Sequence, residues 1–193
     1  GAGTSTITIE GVERLGTSFA EVIPDRIEAG TYLIAGALIG ENLKIENIIL
    51  DHVESLTLKL KEMGVDMKFG KDYIVLNRTD KLKPVNVKTQ GYPGFATDLQ
   101  QPLTTLLTQC TGISKLEETI YENRFQNVPY LEKMGADIVQ NGRSILIKGV
   151  EQLHGEEVVA TDLRAGACMI LAGLVAEGTT KVTSIDHVLR GYE

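Results

Sequence analysis

Apolar positions along this chain change spacing at regular intervals. Leu99, Leu103, Leu106, Leu107 and Cys110 recur every three or four residues and predict one buried helical face. "LRAGACMILAGLVAEG", from Leu163, is apolar nearly all round and predicts a helix buried on every side, ended near Gly178. Short β-branched runs flank it, "EEVVATD" before and "TTKVTSI" after, and read as strands. A more amphipathic helix ending in Met-Gly comes next in the pattern, as in "NVPYLEKMG". A hairpin closes it, as in "ADIVQNGRSILIKGV", with Asn141-Gly142 placed at the turn. The order is β-α-β-α-β-β, in which the helical crossovers require some parallel strand pairing.

The same order recurs. Ala-Thr-Asp-Leu occurs at 96–99 and again at 160–163, each time before an apolar helical run. "KEMGVDMKFGKDYIVL" (61–76) is echoed by "EKMGADIVQNGRSILI" (132–147), and "AGTYLIAGALIG" from Ala29 by "AGACMILAGLVAEG" from Ala165. "ITIEGVERLG" at 7–16 is echoed by "ILIKGVEQLHG" at 145–155. Four echoes in one chain order imply three units of about 64 to 71 residues. Their boundaries fall near 21–78, 79–152 and 153–193, after a segment 1–20 read as a linking strand. Asp51-His52-Val53 matches Asp186-His187-Val188, but the first unit continues through a helix and hairpin where the third stops at Glu193. The third unit is therefore read as truncated and the chain as a fragment. The expected fold is α/β, with three buried helices inside and the sheets around them.

Composition narrows the function. The chain has 193 residues and a net charge of −7, which argues against a nucleic-acid surface. No stretch approaches the ~18 apolar residues needed to span a bilayer. Two cysteines, Cys110 and Cys168, make neither a metal spacing nor a disulfide framework, which suits a reducing, cytoplasmic compartment. Both fall on apolar helical positions and read as core residues. His52 and His187 are repeat-equivalent and read as structural, and His154 has no evident partner. No Ser-His-Asp, HExxH, P-loop or dinucleotide glycine pattern occurs, and neither metal nor cofactor is expected.

The candidate chemistry lies at the corners between strand and helix. Asp98 and Asp162 begin helices there, Arg26 and Arg164 share these corners, and Arg124 and Arg190 follow strands at equivalent junctions. Each Asp alone reads as a helix N-cap. Arginines at corresponding corners of an acidic chain add a pattern suited to phosphate or carboxylate. The residues support an anion-recognising, repeat-built domain and specify no reaction.

The stretches "GFATDLQQP", "ETIYENRFQNVPYLEKMGADI", "GVEQLHGEEVVATDLRAGA" and "LRGYE", with "IEGVERLG" and "PDRIEAGTYL", resemble the UDP-N-acetylglucosamine enolpyruvyl transferase family over nearly the whole chain. That resemblance implies an inside-out α/β barrel of three βαβαββ units, here the C-terminal domain, with the active site against an N-terminal domain absent from this sequence. It implies transfer of the enolpyruvyl group of phosphoenolpyruvate to the 3′-hydroxyl of UDP-N-acetylglucosamine, the first committed step of peptidoglycan synthesis. Asp98 then matches the acceptor of the hydroxyl proton, and Ile120 a contact to the nucleotide sugar through its backbone. Arg190 matches the phosphate-holding arginine; Arg124, Asp162 and Arg164 match charged residues of the cleft. The family's cysteine general acid and its Lys-Asn pair belong to the other domain, and neither Cys110 nor Cys168 matches that cysteine. Many members carry Pro at the position of Ala96. The chain alone is expected to be inactive. Two alternatives stand beside this reading: a free-standing anion- or nucleotide-sugar-binding module, and 5-enolpyruvylshikimate-3-phosphate synthase.

Overall fold

A computed structural model describes residues 6–192. The first unit contains helix α1 (Arg26–Ile39), strand β1 (Leu43–Ile45), a 3-10 turn at Leu50–Val53 running into α2 (Glu54–Met63), and strands β2 (Met67–Phe69) and β3 (Ile74–Leu76). The second runs through β4 (Asn86–Lys88), a 3-10 turn at Thr97–Leu99 continuing as α3 (Gln100–Thr108), β5 (Ile113–Glu117), α4 (Val128–Lys133), β6 (Asp137–Asn141) and β7 (Ser144–Lys148). The third contributes β8 (Glu157–Val159), α5 (Leu163–Val175), β9 (Lys181–Thr183) and α6 (Asp186–Leu189). The second unit is the full β-α-β-α-β-β.

Pairing repeats with the units. β4 lies parallel to β5 with Val87 opposite Leu116, and β8 lies parallel to β9 with Val158 opposite Val182. The hairpin strands add antiparallel neighbours, giving the sheet orders β1-β3-β2 and β4-β5-β7-β6. Isolated parallel bridges join Leu82 to Cys110 and His154 to Glu177 at corresponding places in the second and third units. The Met-Gly helix ends also correspond: Gly64 has φ 94° and Gly135 φ 97°, left-handed positions that favour glycine.

α1, α3 and α5 pack on one another at the centre. Every residue of α3 is buried, and Leu103, Leu106 and Leu107 are fully so, each worth roughly 1.5–3 kcal/mol. The expected arrangement of buried helices with sheets outside is the one observed. Among the described residues, no helix is long and apolar enough to cross a membrane.

Two local expectations change. The hairpin loop is Gly142-Arg143 rather than Asn141-Gly142, because Asn141 still pairs with Ser144 and Gly142 takes the positive φ of 57°. The first unit has no leading strand: residues 6–25 carry no assigned helix or strand. Phe19 and Val22 there are 95% and 92% exposed, so nothing in the described chain buries the segment against the free edge of β1. Of the linking strand expected at 1–20, residues 1–5 lie outside the described residues and 6–20 form no strand.

Candidate functional site

The N-terminal ends of α3 and α5 meet through three side chains. Asp98 Oδ1 accepts from Arg124 Nη2 at 2.7 Å, and Asp98 Oδ2 accepts from Arg164 Nη2 at 3.2 Å. The arginine side chains are 17% and 16% exposed and that of Asp98 is 35% exposed, so the carboxylate keeps one open side. The two Ala-Thr-Asp-Leu corners therefore share a face, as the repeat predicts.

Their aspartates do different work. Asp162 Oδ1 accepts from the N–H groups of Arg164 and Ala165 at 2.7 and 2.9 Å, and Asp25 Oδ1 caps α1 through the N–H of Ile27 at 2.7 Å. Those are the N-caps that each corner suggests. Asp98 makes no cap, because the chain turns through a 3-10 segment before α3 begins. Its carboxylate is left for the arginines. Burial pushes its pKa up, but hydrogen bonding and charge from Arg124, with those of Arg164, outweigh burial and hold it below the ordinary carboxylate range.

Arg124 is fixed on three sides. Besides Asp98, its Nη1 donates to Thr97 Oγ1 at 2.8 Å, and its guanidinium lies 4.6 Å from the centre of the Tyr121 ring. Arg164 Nη1 donates to Tyr192 Oη at 3.2 Å, and that hydroxyl lies 3.0 Å from Thr31 Oγ1 of α1. All three units thus reach this face. Ile120 sits beside it, 45% exposed, but its N–H already donates to Glu118 Oε1 at 2.8 Å. What Ile120 can offer a ligand is its side chain and carbonyl.

Asp98, Arg124 and Arg164 are joined directly, Asp162 supports Arg164 from the cap, and Ile120 borders the group. Arg190 is exposed, and its Nη2 lies 3.1 Å from His187 Nδ1. Arg26 stacks over Tyr92 at 5.4 Å instead of joining the group. Thr97 shares the Asp98 corner; Glu118, Thr31 and Tyr192 are participants that the corner pattern did not single out, although they lie within the quoted "ETIYENRFQNVPYLEKMGADI", "PDRIEAGTYL" and "LRGYE" stretches. Burial pushes both the Cys110 and Cys168 thiols up to about 11, unsuited to a nucleophile. Among the described residues, no three His, Cys, Asp or Glu side chains group closely enough to hold a metal. A cleft of 540 Å³ opens at the other end of the central helices, among Ala37, Gln109 and Val175, and contains none of the six expected residues.

The sequence profile of EPSP synthase (3-phosphoshikimate 1-carboxyvinyltransferase) matches residues 1–193. The chain is 52% identical over 192 residues to UDP-N-acetylglucosamine 1-carboxyvinyltransferase 2 of Geobacillus kaustophilus, covering all of this chain and 45% of that protein. It is 53% identical to UDP-N-acetylglucosamine 1-carboxyvinyltransferase 1 of Streptococcus agalactiae, covering 46% of it. The chain thus spans a little under half the length of these relatives. Among solved structures, the enolpyruvyl transferase NikO from Streptomyces tendae superposes with a TM-score of 0.80 at 31% identity, covering 89% of this chain and 41% of that one. An EPSP synthase of Acinetobacter baumannii shares the fold, with a TM-score of 0.67 at 19% identity, covering 89% of this chain and 43% of that one.

Proposed function

The chain belongs to the family of EPSP synthase (3-phosphoshikimate 1-carboxyvinyltransferase), and on that premise we propose that it forms one half of an active site that moves enolpyruvate from phosphoenolpyruvate to UDP-N-acetylglucosamine. The carrying observation is the carboxylate of Asp98, uncommitted to any helix cap and held open-sided between Arg124 and Arg164. The names of relatives more than half identical support this acceptor sugar. Work at the start of peptidoglycan synthesis, in the cytoplasm, belongs to the same reading.

In this reading the 3′-hydroxyl donates a hydrogen bond to Asp98 and its oxygen adds to C2 of phosphoenolpyruvate, while C3 gains a proton. Phosphate then leaves C2 as C3 releases a proton, restoring the enol ether on its new oxygen. An alcohol is a poor acid and Asp98 a weak base, so proton transfer accompanies C–O bond formation rather than preceding it. The longer contact, that of Arg164 at 3.2 Å, is the one that yields to the incoming hydroxyl. Arg124 keeps the other oxygen aligned, and Asp162 holds the backbone beneath Arg164. Ile120 packs on the sugar nucleotide. Arg190 takes the phosphate of phosphoenolpyruvate after leaving His187. The resemblance assigns the proton donor for C3 to an N-terminal domain, which makes that domain the necessary partner.

One half-site binds weakly, with a dissociation constant on the order of millimolar, about −4 kcal/mol. Amide NMR titration of the 193-residue chain with UDP-N-acetylglucosamine therefore gives fast-exchange shifts centred on Asp98, Ile120 and Arg124. Shifts confined to the cleft near Gln109 would contradict the site. A free-standing binding module would bind far tighter than this and release no phosphate in any pairing.

A further inference from the structure

Glu118 is 1% exposed and stands at the end of β5, where the chain enters the loop carrying Ile120, Tyr121 and Arg124. Its carboxylate meets four donors. Oε1 accepts from Thr89 Oγ1 at 2.9 Å and from the N–H groups of Ile120 and Tyr121 at 2.8 and 3.1 Å. Oε2 accepts from Thr97 Oγ1 at 2.8 Å. All four partners donate, so the position is built for a side chain that only accepts.

This arrangement sets the polarity of a neighbour. A hydroxyl has one proton, and Thr97 gives its own to Glu118. Its lone pairs therefore face Arg124 Nη1, 2.8 Å away, and a guanidinium can only donate. Arg124 Nη2 then reaches Asp98 Oδ1 at 2.7 Å. Donation runs in an unambiguous sense along Thr97 to Glu118 and along Arg124 to both Thr97 and Asp98.

We propose that Glu118 is a positioning residue for the enolpyruvyl transfer site, orienting Asp98 through Thr97 and Arg124 and fixing the Ile120–Tyr121 turn with the same carboxylate. The proposal rests on the reading of Asp98 as the proton acceptor. Glutamine cannot replace Glu118, although it fills the same volume. Its amide turns an NH2 either toward the two backbone donors, which opens the loop, or toward Thr97, which reverses the hydroxyl against Arg124. In the first case the loop that carries Arg124 shifts, in the second Arg124 loses Thr97 as its acceptor, and in both Asp98 loses alignment.

A carbon-detected NMR titration of the Asp98 side chain in the 193-residue chain reads this without any turnover. In wild type the carboxylate titrates below its ordinary range; in Glu118→Gln and in the isosteric Thr97→Val it titrates higher, while Thr97→Ser, which keeps the hydroxyl, behaves as wild type. A role limited to packing would leave Asp98 unmoved in Thr97→Val. Unchanged Asp98 titration in either Thr97→Val or a folded Glu118→Gln would overturn the proposal, and the Thr97 pair decides it if Glu118→Gln does not fold. A second arm uses the chain combined with a separately made N-terminal half. Misplacement of about 1 Å at a reacting group costs up to ~100-fold, so Glu118→Gln lowers kcat on that scale and leaves KM for phosphoenolpyruvate nearly constant. Loss in KM alone would overturn the positioning role. Wild-type mixtures that transfer no enolpyruvate while the titrations behave as stated would fail the functional reading and leave the relay standing as structure.

Discussion

Asp98 and Asp162 occupy the same place in the same four-residue word, yet one carboxylate caps a helix and the other pairs with two arginines. The difference is the 3-10 turn at Thr97–Leu99, which carries Asp98 away from the first N–H groups of α3. Because its partners lower its pKa below the ordinary 3.8 despite burial, Asp98 stabilises the fold above that value and loses the contribution as pH falls through its folded-state pKa. Asp98→Asn therefore lowers the urea midpoint at neutral pH, and the gap from wild type closes as pH drops below about 3.8. A gap independent of pH would contradict the pairing. Solvent screening keeps the effect small, since the side chain is 35% exposed. Ala96 offers a second check: its φ of −67° is one that proline adopts, and Phe95 before it is extended through a bridge to Thr89. Ala96→Pro raises stability by about 0.4–1 kcal/mol, measured as a higher urea midpoint, because it restricts the unfolded chain without disturbing the folded one. Asp98, Arg124 and Arg164 were visible in the sequence because repeated corners marked them. Glu118 was not, since an acidic residue at a strand end looks solvated until the fold places Thr89 and Thr97 around it.

Elements were readable where local chemistry defines their ends. The N-caps at Asp25 and Asp162 and the Met-Gly ends at Gly64 and Gly135 are written in single residues, and α1, α2 and α5 begin or stop beside them. The first unit's leading strand was inferred only by analogy with its repeats, and a strand needs a neighbour rather than a cap. Residues 6–25 have none among the described elements. Close approach between elements of one unit also escapes sequence reading. A Cβ at Gly149 would lie 1.5 Å from the Cys110 carbonyl oxygen, where β7 passes the end of α3. Backbone cannot yield as a side-chain tip does. Gly149→Ala therefore destabilises by at least the roughly 1–3 kcal/mol typical of overpacking, seen as a lower melting temperature. An unchanged melting temperature would contradict the close approach of Gly149 to the Cys110 carbonyl.

At the scale of the molecule, three helices point their N-termini toward one face, and residues from all three units meet there: Thr31 from the first, Asp98 and Arg124 from the second, Arg164 and Tyr192 from the third. Such a face gathers polar and charged groups, as one wall of a cleft would. The chain's span of 45% of its relatives' length agrees with that shape. Turnover on this account needs a second wall that supplies the proton to C3 and excludes water. The decisive measurement is phosphate release from phosphoenolpyruvate in the presence of UDP-N-acetylglucosamine. It is made on the 193-residue chain alone and on the chain mixed with a separately produced N-terminal half, each with wild-type Asp98 and with Asp98→Asn. The account predicts no release by the chain alone, release by the wild-type mixture, and a loss of roughly 100-fold or more with Asp98→Asn, the scale of removing a positioned general base. Sugar-dependent release by the chain alone, or a mixture as fast with Asp98→Asn as with wild type, would contradict it.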